Sequence, residues 1–199
     1  MALIKLNNRS IKDVTSLPFG VGTLVHIQSQ TASNSASISF TTGINSTYKE
    51  YQFYFINIKP ATDGADFTFN GSTDSGSNYN VTKTTTAFQA YNNESTAVYG
   101  LGYETDWDLA QSTGYQLIMR DVGNASDENG CGSLQLFNPA STTYVKHFIS
   151  RSSKYHYQDY AGDDNIAGYF NTTSAVNAIQ FKFDSGNIAD GTIAMFGVL

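Results

Sequence analysis

The run Lys154-Tyr-His-Tyr-Gln-Asp-Tyr160 gathers more side chains suited to gripping a polar ligand than any other stretch of the sequence. Tyr155, Tyr157 and Tyr160 offer ring faces and hydroxyls, and Gln158 and Asp159 add hydrogen-bonding groups. Such a set can stack on a sugar and orient it. Amphipathic tyrosine gives contact area at low entropic cost, so a protein partner suits it equally. The plainer reading is a core strand with one tyrosine turned outward.

Other candidates for chemistry fall short of a complete constellation. His26 and His147 lie inside alternating stretches, which makes them packed or edge imidazoles. Cys131 sits between Gly130 and Gly132 with no basic neighbour or helix N-terminus to lower its pKa, and it reads as a buried or half-buried inert thiol. Three histidines and one cysteine exclude the common zinc spacings. The acidic groups Asp63/Asp66, Asp127/Glu128 and Asp159/Asp163/Asp164 match no defined calcium loop and read as solvated turn carboxylates. Gly100-Leu-Gly102 lacks the third glycine and the βαβ setting of a dinucleotide site, and no nucleophile elbow, Walker loop or His-Glu-x-x-His occurs. The expectation is a binding or structural module rather than an enzyme, with no catalytic residue, metal or cofactor.

Helical periodicity is nearly absent. Short β-branched and aromatic stretches alternate with Gly, Asn, Asp and Ser clusters, placing strands at 23–29, 35–40, 50–58, 66–70, 80–85, 115–122, 133–137, 143–150, 166–170, 178–183 and 192–198. Asp63-Gly64, Ser75-Gly76 and Asp190-Gly191 read as turns. The stretch 51–58 (Tyr-Gln-Phe-Tyr-Phe-Ile-Asn-Ile) is apolar on both parities and reads as a central strand, buried on both faces or at an interface. Ile179, Phe181 and Phe183 alternate with Gln180 and Lys182 and point inward. Leu134/Leu136 and Tyr115/Leu117/Met119 follow the same rule. Residues 94–111 are the weakest strand territory; Asp106 could cap a single helical turn over 106–111. The pattern fits one antiparallel, jelly-roll-like β-sandwich over residues 21–199.

Only 14% of the 199 residues are charged, so hydroxyls and amides must cover the surface, and 40% hydrophobic content is ample for a core. A net charge of −6 without a basic run argues against nucleic acid as a partner. The lack of a polybasic or amphipathic helix argues against a membrane surface. The N-terminus is too short and polar for a signal peptide, so synthesis and assembly in a cytoplasm are expected. Asn-x-Ser/Thr triplets, at Asn8 and Asn45 among others, reflect the composition.

The first twenty residues differ in character. Leu3, Ile4, Leu6, Ile11, Val14, Leu17 and Phe19 punctuate a polar stretch, with few internal partners in sight. Composition leaves two readings open: an extra edge strand of the same domain, or an arm that docks on another surface.

Several stretches resemble a group of virion structural proteins of marine tailed bacteriophages. They are residues 2–11 (Ala-Leu-Ile-Lys-Leu-Asn-Asn-Arg-Ser-Ile), 44–51 (Ile-Asn-Ser-Thr-Tyr-Lys-Glu-Tyr), 58–64 (Ile-Lys-Pro-Ala-Thr-Asp-Gly) and 78–91. The likeness continues through 136–142, 168–173 and 185–193, and so covers nearly the whole chain. The last strand departs conservatively, reading Ile193-Ala-Met-Phe-Gly-Val198 where the family commonly has Ile-x-Leu-Tyr-Gly-Ile. The resemblance implies a virion exterior protein, a capsid decoration or short fibre, anchored by residues 1–20 to capsid or tail proteins. It further implies a homo-oligomer, a trimer by analogy, with contact to a host-surface glycan as a second role. A glycan depolymerase is disfavoured by the short strands and by the lack of shaft repeats.

Overall fold

The computed structural model describes residues 23–95 and 97–199. The arm candidates Leu3, Ile4, Leu6, Ile11, Val14, Leu17 and Phe19 lie outside the described residues.

The described chain is all-β and antiparallel. Its strands are β1 (Leu24–Thr31), β2 (Ile38–Phe40), β3 (Glu50–Pro60), β4 (Ala65–Ser72), β5 (Lys83–Asn93) and β6 (Tyr99–Tyr103). A 3-10 turn, Thr105–Trp107, leads on to β7 (Gln116–Val122), β8 (Gly130–Phe137), β9 (Lys146–His156), β10 (Tyr160–Phe170), β11 (Ala178–Phe183) and β12 (Ile188–Val198). One leaf runs β1-β12-β3-β8-β9-β10-β5-β6, and the other runs β7-β4-β11-β2. A single paired position, Val122 with His156, joins them into a nearly closed sandwich. The sheets are thus unequal, where a jelly roll would divide eight strands into two similar sheets.

Alternation along each strand builds the core. Phe53 and Phe55 from β3 meet Phe67 from β4 and Phe181 from β11 across the sandwich, with ring centroids between 5.2 and 5.5 Å for Phe55–Phe67, Phe53–Phe181 and Phe55–Phe181. Phe69 packs edge-on against Phe148 and Phe170. Ile179, Phe181 and Phe183 face inward as expected, as do Leu134 and Leu136.

Several expectations change. The segment 51–58 is central, between β12 and β8, but only one of its faces is buried. Tyr51, Phe53 and Phe55 are buried while Ile56 is exposed. Asn57 then adopts positive φ at a register shift, which returns Ile58 to the core. Asp190-Gly191 is not a turn but an irregularity inside β12, where Gly191 has φ +117° against the Asn57 carbonyl. Strand β7 buries Gln116, Ile118 and Met119, because a register shift sets both Met119, opposite Phe67, and Gln116, opposite Phe69, toward the core, while Tyr115 and Leu117, expected inward, are only partly buried. Strand β6 lies within the territory that looked least strand-like. The short helical turn is 3-10, starts before Asp106, and has no side-chain cap.

Candidate functional site

Strand β9 determines how the larger leaf is dressed. Its inward residues are Lys146, Phe148, Ser150, Ser152 and Lys154, and its outward ones include Ile149, Arg151 and Ser153. This inverts the usual rule, and the polar groups are matched locally. Lys146 donates to the Tyr144 and Thr172 carbonyls (2.7 and 3.0 Å), and Ser150 donates to the Ser133 carbonyl (2.9 Å). Burial pushes the Lys146 ammonium below its ordinary pKa.

At the far end, Lys154 Nζ lies 2.6 Å from Asp164 Oδ2, with both side chains essentially inaccessible. Asp164 Oδ2 also accepts the Arg120 amide (3.0 Å). Gly162, paired opposite Lys154, leaves room for its stem; a Cβ there would come within 2.7 Å of Lys154 Cε. The Trp107 ring is flanked by Lys154 Nζ (5.4 Å) and the Arg120 guanidinium (5.6 Å). Burial lowers the Lys154 pKa, and Asp164 opposes that shift.

Nearby, Asp121 accepts from Arg120 Nε (3.0 Å) and lies 3.4 Å from His156 Nε2. Burial works against the Asp121 carboxylate. The hydrogen bond from His156 and the charges of Arg120, His156 and Lys154 prevail, holding its pKa below the ordinary value. Asp66 accepts the Asp121 amide (2.8 Å), yet burial, with Asp121 and Asp184 adding repulsion, raises its pKa to about 6. Asp66 and Asp164 are therefore not the solvated turn carboxylates expected from sequence. This charged seam fixes the end of the β9–β10 hairpin where the two leaves meet.

The opposite face of the same strands is open. The registers β8–β9–β10–β5–β6 place Tyr155, Ala161, Asn92 and Tyr99 in one transverse row, and Ser153, Asp163, Ala90 and Leu101 in the next. Arg151, Asn165, Phe88 and Tyr103 form the third row. Ala161, Ala90 and Ser153 form a low floor between Tyr155 on one side and the β6 side chains on the other. Three inter-strand spacings separate Tyr155 from Tyr99, a trough about 14 Å across. The groove beside Tyr155 encloses about 460 Å³ and is bordered by Asn92, Asn93, Glu94 and Asn129.

Outside that groove, across the low floor, the β6 side of the trough is apolar and free to solvent. Tyr99 and Leu101 are each 74% exposed, Tyr103 59% and Phe88 48%. The Tyr155 hydroxyl bonds Glu94 (2.9 Å) and Asp159 (3.2 Å), and the bond to Glu94 holds the phenol well above its ordinary pKa. Arg151 makes a two-pronged contact with Asp163 (3.0 and 2.8 Å), which lowers the Asp163 pKa. The Tyr103 hydroxyl donates to Asp108, which orients its ring.

The three tyrosines singled out by sequence do not form one platform. Tyr155 points to the open face, whereas the Tyr160 ring packs on the other face against His156 (5.0 Å) and Tyr91 (6.1 Å). Tyr157 lies in the three-residue hairpin turn, stacked on His156 at 4.8 Å. Strand alternation enforces this split, because Tyr160 pairs with His156 and not with Tyr155. Tyr160 still borders the groove beside Tyr155. Cys131 is exposed at that groove, with its Sγ 3.3 Å from the Asn57 amide, and is not a buried thiol.

Sequence reading missed Tyr99, Leu101, Tyr103, Phe88 and Asn92. The period-two run Tyr-Gly-Leu-Gly-Tyr was a usable strand signal for the first three.

Fold and site together define an antiparallel β-sandwich with one open, aromatic-walled sheet face. Comparison of the chain with family models, curated proteins and solved structures finds no match.

Proposed function

We propose that this protein is a structural module of a phage virion exterior that presents the open sheet face to host-surface glycans. The virion assignment is supported by the sequence resemblance, and residues 1–20 serve as the attachment to capsid or tail proteins. The observation that carries the recognition role is the trough. It has a small-residue floor, exposed tyrosine walls, and amide and carboxylate groups along one rim. Sugars present apolar C–H faces and a periphery of hydroxyls, which match ring faces and amides respectively. Asp163, within the trough, is held by Arg151, and Glu94 and Asp159 at its rim are both occupied by the Tyr155 hydroxyl, an arrangement suited to holding a ring in place. Binding without catalysis is the reading they favour.

A glycan array probed with the intact chain tests the recognition role. Binding that falls at least tenfold in Tyr155→Ala and in Asn92→Ala is expected. An intact protein that binds no glycan, or variants that bind as well as the parent, would reject recognition and leave a decoration role alone.

A further inference from the structure

Natural sheets protect their free edges with charge, proline, bulges or brevity. Among the described residues, β1, β2 and β6 each pair with a single neighbour. Strand β1 carries a register irregularity between His26 and Gln28, and β2 is three residues long. Strand β6 has neither protection. It reads Tyr99-Gly-Leu-Gly-Tyr103, without a charge or a proline, and its three side chains on the open face are its most exposed.

The pairing with β5 shows which backbone groups are free. Asn93 N–H donates to the Val98 carbonyl (2.9 Å) and Glu104 N–H to the Ala87 carbonyl (3.0 Å). In an antiparallel ladder the bonded positions alternate, so 98, 100, 102 and 104 turn their main-chain groups toward β5. The N–H and C=O groups of Tyr99, Leu101 and Tyr103 therefore point away, along the open edge.

The edge is also palindromic about Leu101. A second copy laid antiparallel on a two-fold axis through this residue sets Leu101 against Leu101, Gly100 against Gly102 and Tyr99 against Tyr103. All three outward pairs then fall in the hydrogen-bonded positions, where each exchanges two N–H···O=C bonds. An isologous contact sets residues near its axis against themselves, so a charge at its centre would meet its own kind. Here the centre is uncharged, and at the ends Val98 faces Glu104. The glycines present no side chain on the inner face.

We propose that two copies of this chain pair through β6 to make one continuous sheet across a two-fold axis. The contact is an edge addition that covers neither face, so it places two troughs side by side on one surface. It stands independently of whether those troughs bind glycan. Three residue pairs make a small interface, so the dimer is concentration-dependent and weaker than a standard-sized contact.

Sedimentation of the full chain across a concentration series tests the pairing. A monomer–dimer equilibrium is expected, with Leu101→Lys and Leu101→Glu each monomeric and their equimolar mixture dimeric again. Directly opposed bonded residues lie about 5.5 Å apart at Cα, within reach of a disulfide. Leu101→Cys in a Cys131→Ser background should therefore oxidise to a covalent dimer far faster than Tyr144→Cys, exposed on another part of the surface. A wild-type chain that stays monomeric, an oligomer unaffected by both charged variants, or equal cross-linking at the two cysteine positions would each overturn the proposal.

Discussion

Breaking the Lys154–Asp164 pair from either side is expected to cost far more than removing both charges together. The two atoms are 2.6 Å apart with side-chain exposures of 1% and 0%, so neither ion can recover hydration when its partner is lost. Lys154→Met leaves a buried carboxylate that keeps only the Arg120 amide (3.0 Å). Asp164→Asn retains an oxygen for that amide but strands the ammonium beneath Trp107. Each single change should destabilise by about 3–5 kcal/mol, the usual range for an orphaned buried charge. For a domain of this size that lowers the melting temperature by roughly 6–20 °C. The double variant removes the orphan and should cost no more than either single change, leaving a coupling energy of about 3 kcal/mol or more. Equilibrium urea unfolding of the four proteins at neutral pH measures this cycle. Additive costs, with the double variant near the sum of the singles, would refute the claim that the two groups act as one buried unit.

Three further outcomes concern Asp66 beside this seam, Gly191 in β12 and residues 1–20. Asp66 has its folded-state pKa raised to about 6, so it favours the folded state when protonated. That contribution is present below about pH 4 and is lost as pH rises through about 6. Asp66→Asn should thus stabilise the protein at pH 7.5 by about 1–2 kcal/mol, after discounting for partial solvent screening, and flatten the stability profile between pH 4 and 6. A variant no more stable than the parent at pH 7.5 would contradict the burial argument. Gly191→Ala should lower stability by about 2–4 kcal/mol in urea unfolding, because φ is +117° and the new Cβ would meet the Asn57 carbonyl oxygen at 2.6 Å. A neutral effect there would mean that β12 can reshape its bulge freely. Removing residues 1–20 should leave a folded, soluble sandwich that no longer co-purifies with particles. Retained incorporation would remove the anchoring role.

Most strands were legible because their alternation was apolar. Phe53/Phe55, Leu134/Leu136 and Ile179/Phe181/Phe183 announce both their strands and their buried faces. Strand β9 did not yield its inner face so easily, since its inward set includes Lys146, Ser150, Ser152 and Lys154 while Ile149 points out. Only the tertiary partners, such as Asp164 for Lys154, make that arrangement affordable. β6 was hidden by two glycines, which lower strand propensity and here lie on the inner face of an edge strand. The tyrosine run was identified as notable, but its division between two faces depends on where the hairpin turns. Asp159, with φ 63°, closes that turn and puts Tyr160 opposite His156, information that no count of tyrosines contains. The trough itself joins the β9–β10 and β5–β6 hairpins, and the β10–β5 pairing that brings them together is non-local.

The central claim is that the open face of the larger leaf contacts glycans, and mapping amide chemical shifts during titration with host-envelope oligosaccharide tests it most directly. Saturable shifts at Asn92, Ala161, Tyr155 and Tyr99, and their loss in Tyr155→Ala, are the predicted result. No saturable binding, or shifts confined to the β1–β12 side of the sandwich, would contradict the account.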